Sequence, residues 1–258
     1  MDENRSSLVV PIAIVVGVLI VAGAFYYKSQ NPQAGKPTST TPTELGQLLP
    51  VAEGTDLTKF RPVDTTDKIL GSASAPIKLV VYTDLECPAC KYFHEQLKLI
   101  EPKYITTGRV AVIYRDFPLD SIHSKSRNEF LAAECVNEIG GNDKFWQFID
   151  KIFEVTPSNN GLDPAVLTQT AKDLGINSQS FAACVKANKY ASQIQKSVDE
   201  ATALGAQGTP FFIVVTQDQT IPVFGGISAD RLSAALDLLL GTAPDSSNTT
   251  ASTSPVTQ

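Results

Sequence analysis

The stretch LVVYTDLECPAC, residues 79–90, constrains the fold more than any other part of the chain. An apolar run rich in β-branched residues ends at Asp84, and a short turn follows. Two cysteines then open KYFHEQLKLI, whose apolar spacing is helical. The order is strand, turn, dithiol, helix. A cysteine at a helix start meets unpaired backbone N–H groups and the positive end of the helix dipole, and both favour the thiolate, the form that attacks a disulfide. The same spacing also serves zinc sites and structural disulfides. Such a zinc site needs a second ligand pair, whereas Cys135 and Cys184 are far apart and the histidines are His94 and His123. The residue types therefore favour a redox pair, Cys87 and Cys90, with no metal and no cofactor expected.

The two ends of the chain differ from its middle. Residues 8–27, LVVPIAIVVGVLIVAGAFYY, carry no charge and are long enough to cross a bilayer as a helix. A cleaved signal peptide is the competing reading, from the small residues Ala22-Gly23-Ala24, but Tyr26, Tyr27 and Lys28 resemble the interfacial end of an uncleaved anchor. Residues 1–7 form a short segment before it. Residues 28–63, with KPTSTTPTE, read as a flexible linker, and 241–258 as a disordered Ser/Thr/Pro-rich tail. Residues 64–240 between them suffice for one domain with its own core. A net charge of -6 and the absence of a Lys/Arg run argue against nucleic acid as a partner. An even number of cysteines suits an oxidising compartment, so the expected placement is the cell membrane, single-pass, with the domain on the extracytoplasmic side.

Within the domain, residues 64–70 suggest a short edge element and residues 77–83 a strand buried on both faces. The helix after Cys90 is expected to reach about residue 104, with a break near Pro102, and residues 110–114 to return as a parallel strand, completing a βαβ unit. Residues 124–204 read as almost wholly helical, a subdomain inserted between strands. In it Phe145, Trp146 and Phe148 fit core packing better than a substrate groove. Residues 211–216 and 221–224 read as a hairpin, and DRLSAALDLLL as a closing amphipathic helix.

The set CPAC after a strand, RDFPL with His123 shortly behind it, a helical insertion, and GTPFFIV followed by Gly225-Gly226 and a last helix resembles the DsbA-like family of thioredoxin-fold proteins, over about residues 67–240. The resemblance implies an α/β, thioredoxin-like fold with an inserted helical subdomain, here preceded by a single transmembrane helix. It further implies an extracytoplasmic thiol-disulfide oxidoreductase, with Cys87 attacking, Cys90 buried and resolving, and Thr209-Pro210 as a cis-proline loop facing them. Pro88 and Ala89 complete the active-site loop, and Thr209-Pro210 would contact substrate backbone. The implied partners are exported polypeptides with cysteines and a membrane redox partner that regenerates the pair. Ala89 departs from the proline-histidine form of the best-known oxidases and offers no side-chain donor to a Cys87 thiolate. A reductase or isomerase, or a non-catalytic binding or chaperone-like module with a structural Cys87–Cys90 disulfide, stand as alternatives.

Other residues carry two readings. Cys135 and Cys184 are either buried small hydrophobes or a structural disulfide, which the resemblance and an exported location favour. Glu86 is read as a solvated turn residue, with an electrostatic effect on Cys87 as the alternative. His94 is read as a surface or capping residue, and His123 as structural support.

Overall fold

A computed structural model of the chain describes residues 42–242. Its centre is a five-stranded sheet in the order β1-β3-β2-β4-β5. The strands are β1 (Lys68–Leu70), β2 (Ile77–Thr83), β3 (Val110–Asp116), β4 (Phe211–Val215) and β5 (Thr220–Phe224). β2 and β3 are parallel, with Leu79 opposite Val112 and Thr83 opposite Asp116. Helix α2 (Pro88–Ile100) connects them as a crossover requires. β1 joins β3, β4 joins β2 and β5 joins β4, all antiparallel.

The apolar run of β2 serves both faces of the sheet. Leu79 and Val81 join the core beneath α2, while Val80 and Tyr82 pack on the other side with Ala201, Leu204, Phe211 and Ile213. α2 stops at Ile100 and continues as a π-helical turn, Glu101–Ile105. Pro102 lacks the N–H that the Lys98 carbonyl would accept, and its ring crowds that carbonyl, so the turn widens.

The insertion comprises α3 (Ser126–Gly140), α4 (Asn142–Val155), α5 (Ala165–Asp173), α6 (Ser178–Lys186) and α7 (Ala191–Leu204). A disulfide joins Cys135 of α3 to Cys184 of α6, with 5.9 Å between Cα atoms. Phe145, Trp146 and Phe148 lie in the core, Trp146 against Tyr114 at 4.8 Å between ring centroids. The last helix, α8 (Ala229–Leu239), closes the α2 face and is capped by the Ser228 side chain.

Two expectations are corrected. Residues 28–63 read as a linker, but their described part, residues 42–63, packs on the domain. Helix α1 (Pro42–Leu48) lies against α8, Leu45 and Leu49 are buried in the main core, and Val51 bridges Val223 at the edge of β5. Covering that edge satisfies backbone groups that would otherwise be exposed, through Phe224 N–H to Pro50 O and Ala52 N–H to Pro222 O.

The second correction concerns the membrane. Among the described residues no helix is long and apolar enough to cross a bilayer. The longest of them, α3 with 15 residues, spans about 22 Å against the roughly 30 Å of a hydrocarbon core. The expected anchor, residues 8–27, lies outside the described residues, as do residues 1–7 and 243–258. What the described chain supports is a thioredoxin-like fold with a helical insertion. The single-pass anchor, the membrane placement and the membrane-held partner are set aside accordingly.

Candidate active site

Cys87 is the N-cap of α2, with extended backbone, and Pro88 occupies the first helical position, where a missing N–H costs nothing. The next N–H groups of the helix, on Ala89 and Cys90, turn toward the Cys87 sulfur. Cys87 is 8% exposed and Cys90 1%, and both are free thiols. The Asp84 N–H points at Cys90 Sγ from 3.4 Å.

From the far side of the sequence, the Thr209-Pro210 peptide is cis, and its Thr209 carbonyl lies 3.5 Å from Cys87 Sγ, within reach of the Cys87 thiol proton when one is present. The Thr209 hydroxyl is buried with no other partner among the described residues, which leaves it free to serve the thiols. The glycine pair after β5 has two reasons, a φ of 81° at Gly225 and a steric one at Gly226. A Cβ on Gly226 would stand 3.1 Å from Phe93 Cβ and 3.3 Å from the Ala89 carbonyl, so only glycine passes over the start of α2 without displacing it.

This setting splits the two thiols. The Cys90 thiol donates to Cys87, and together with the Thr209 hydroxyl and the Ala89 and Cys90 N–H groups it outweighs burial and lowers the Cys87 pKa to about 6. Cys90 moves the other way, because burial and then the neighbouring Cys87 sulfur disfavour its thiolate. At pH 7 Cys87 is thus mainly thiolate. Iodoacetamide modification of the reduced protein is expected to occur at Cys87 with a midpoint near pH 6, rising with pH, while Cys90 stays unmodified until the protein unfolds. A midpoint near 9, or equal labelling of both thiols, would contradict this asymmetry.

The structure relocates several residues. Glu86, read as solvated, is fully buried; its carboxylate turns into the insertion and accepts the Asn160 N–H at 2.5 Å. His94 is buried as well, because its position on α2 faces the core. Its Nδ1 lies 2.9 Å from the Tyr114 hydroxyl, its Nε2 lies 3.0 Å from Asp150, and its ring stacks on Phe153. His123 lies 3.0 Å from Asp84 and supports the turn before the dithiol. Lys91, next to Cys90, donates to the Thr156 carbonyl at 2.8 Å and so ties α2 to the end of α4.

The sequence reading missed Asp84 and Asn160 as organisers of the turn. SNNG at residues 158–161, a run of residues that tolerate positive φ, was the available signal. Among the described residues no cluster of His, Cys, Asp and Glu is arranged to hold a metal ion.

A mixed sheet with a Cys-x-x-Cys at the start of its crossover helix, faced by a cis-proline loop, defines a thioredoxin-fold protein. The family model described as Thioredoxin matches residues 64–237, and the chain belongs to that family. The solved structure of Wolbachia pipientis alpha-DsbA1 is similar in fold, with a TM-score of 0.62 and 24% identity over 72% of this chain and 96% of that one. Disulfide bond formation protein D of Bacillus subtilis is 27% identical over 63% of this chain and 73% of its own length. A stretch of Na(+)/H(+) antiporter NhaA 3 of Salinispora tropica is 29% identical over 65% of this chain, a match that spans 24% of that protein.

Proposed function

We propose that the chain is a thiol-disulfide oxidoreductase that introduces or exchanges disulfides in exported polypeptides, with Cys87 as the attacking and Cys90 as the resolving cysteine. The observation that carries this reading is the split pair itself. An acidified thiol at a helix N-terminus, a buried high-pKa thiol beside it and a cis Thr209-Pro210 carbonyl meet at one point. The name of the Bacillus subtilis relative supports the direction of disulfide formation.

The chemistry runs from the Cys87–Cys90 disulfide. A substrate thiolate attacks Cys87 Sγ, the Cys87–Cys90 bond breaks, and Cys90 leaves with the electron pair and takes up a proton. A second substrate thiolate attacks the substrate sulfur of the mixed disulfide, and Cys87 departs as a thiolate. The substrate loses two electrons and the pair is left as a dithiol. A sulfur with a pKa near 6 is a good leaving group, so the second step is fast. Thr209 and Pro210 lie beside Cys87, where an extended substrate backbone can lie against the loop.

The test is catalysis by the full chain. Oxidation of a reduced test protein in glutathione disulfide, and reduction of insulin by dithiothreitol, are expected to be accelerated, the first more than the second. A chain that moved thiols in neither direction would overturn the reading and favour a binding module.

A further inference from the structure

The turn before the dithiol is tied to the helical insertion by carboxyl groups that thiol exchange does not use. Asp84 and Glu86 are both 0% exposed. Asp84 works locally, accepting the Glu86 N–H at 2.8 Å and the Leu119 N–H at 2.7 Å, with His123 Nδ1 at 3.0 Å. Glu86 reaches into the insertion. Its Oε2 accepts the Asn160 N–H, its Oε1 the Leu162 N–H at 3.4 Å, and its carbonyl the Asn159 N–H at 2.8 Å. Ser158, Asn159 and Asn160 have φ of 65°, 53° and 65°, a left-handed run that brings the Asn159 N–H to the Glu86 carbonyl and the Asn160 N–H to its carboxylate, while the Ser158 N–H bonds the Thr156 hydroxyl. The Asn160 side chain extends the tie, donating to the Ile122 carbonyl at 2.7 Å and accepting from the Lys125 N–H at 3.2 Å.

Glu129 of α3 closes this seam. It is 2% exposed, its Oε2 is buried and receives no hydrogen bond among the described residues, and its carboxyl stands beside that of Glu86. The cation that faces it, Lys125, donates its Nζ to the Leu162 carbonyl at 2.7 Å. Three carboxyl groups, Asp84, Glu86 and Glu129, thus share a buried volume with His123 and Lys125 as the titratable bases around them. Two carboxyl groups in contact there are accommodated when they hold one proton between them. Burial, then the Glu86 hydrogen bond and the Glu86 and Asp84 charges, raise Glu129 to about 9.

We propose that Glu129 carries a proton at neutral pH and donates it to the Glu86 carboxylate, making the pair a one-proton clamp that positions the active-site turn, and Cys87 with it, against the helical insertion. Both are positioning residues, acting through the backbone of the turn. The positioning half rests on the exchange reading of Cys87; the proton half does not.

The experiment uses Glu129→Gln, which keeps an N–H donor to Glu86 without a titrating proton, and Glu129→Leu, which removes the donor. Urea unfolding of each full chain is followed from pH 5.5 to 8.5. An unfolded glutamate titrates near 4.3, so across this window the folded wild type holds a proton that the unfolded chain lacks. The stabilisation is fully present below the unfolded value and is lost as pH rises toward the folded one. The wild-type unfolding constant is therefore expected to rise about tenfold more per pH unit than that of Glu129→Gln, the other titrating groups contributing equally to both. Equal slopes overturn the shared proton. Iodoacetamide modification of Cys87 at pH 7 is expected to stay within about twofold of wild type in Glu129→Gln and to slow about fivefold in Glu129→Leu, with its midpoint raised. Equal rates in the two variants overturn the positioning role. A wild type inactive in thiol exchange would remove the functional reading and leave the unfolding slopes as a separate test of the proton.

Discussion

Cys87→Ala is expected to abolish thiol exchange, lowering the catalysed rate by about a thousandfold or more, to the level of the uncatalysed reaction. Cys90 cannot take over. It is 1% exposed, and its thiol is held protonated by burial. Cys90→Ala should fail differently: Cys87 still attacks, but nothing resolves the adduct. Incubated with a mixed-disulfide donor such as glutathione disulfide, Cys90→Ala is expected to accumulate a covalent adduct at Cys87, seen as added mass that dithiothreitol removes. Cys87→Ala should gain no such mass. The contrast matters more than either loss alone, because a pair with only a structural role would give two variants that behave alike. Full activity in Cys87→Ala would remove that residue from the mechanism.

The second large effect belongs to the other cysteine pair. Cys135 and Cys184 close a loop with a sequence separation of 49. On the chain-entropy relation, opening a loop of that length releases about 4 kcal/mol of restriction in the unfolded state. The double variant Cys135→Ala/Cys184→Ala is expected to lose about 3–4 kcal/mol of unfolding free energy in urea, and its Tm about 10 °C. Its exchange activity at 25 °C should persist as long as it is folded, since the bridge ties α3 to α6 away from the dithiol. A loss below about 1 kcal/mol would mean that the bridge restricts a chain already compact when unfolded. The two cysteine pairs thus separate: one variant set removes the chemistry, the other removes stability and leaves the chemistry in place.

Much of this arrangement was legible in the sequence because its determinants are local. β2 announces itself through seven residues of nearly unbroken apolar character, since a strand buried on both faces has no polar positions to alternate with. The start of α2 is marked by Pro88, and its end by Pro102. The Thr209-Pro210 loop is visible as a proline ahead of an apolar strand, although its isomer is a property of the fold. The burial of Glu86 and His94 was not legible. A glutamate before a helix reads as solvated unless its acceptor atoms have N–H groups waiting, and those of Asn160 and Leu162 come from more than seventy positions away. His94 likewise sits at a core position of α2 that only Tyr114 and Asp150, from β3 and α4, make tolerable. Residues 42–63 misled for the opposite reason. Their Pro and Thr content hides Leu45 and Leu49, which find the core beneath α8. The apolar run of residues 8–27 led to a membrane placement that the described helices do not carry.

Equilibration with glutathione tests the central claim most directly. The full chain is held in buffers of graded reduced and oxidised glutathione, quenched in acid, alkylated and read by mass spectrometry at each cysteine. A catalytic pair predicts that Cys87 and Cys90 pass reversibly and together between dithiol and disulfide within the range these buffers span, with the same midpoint approached from either side, while Cys135 and Cys184 stay bonded throughout. A Cys87–Cys90 pair that remained in one state across the whole series, or that failed to return when the ratio was reversed, would contradict it.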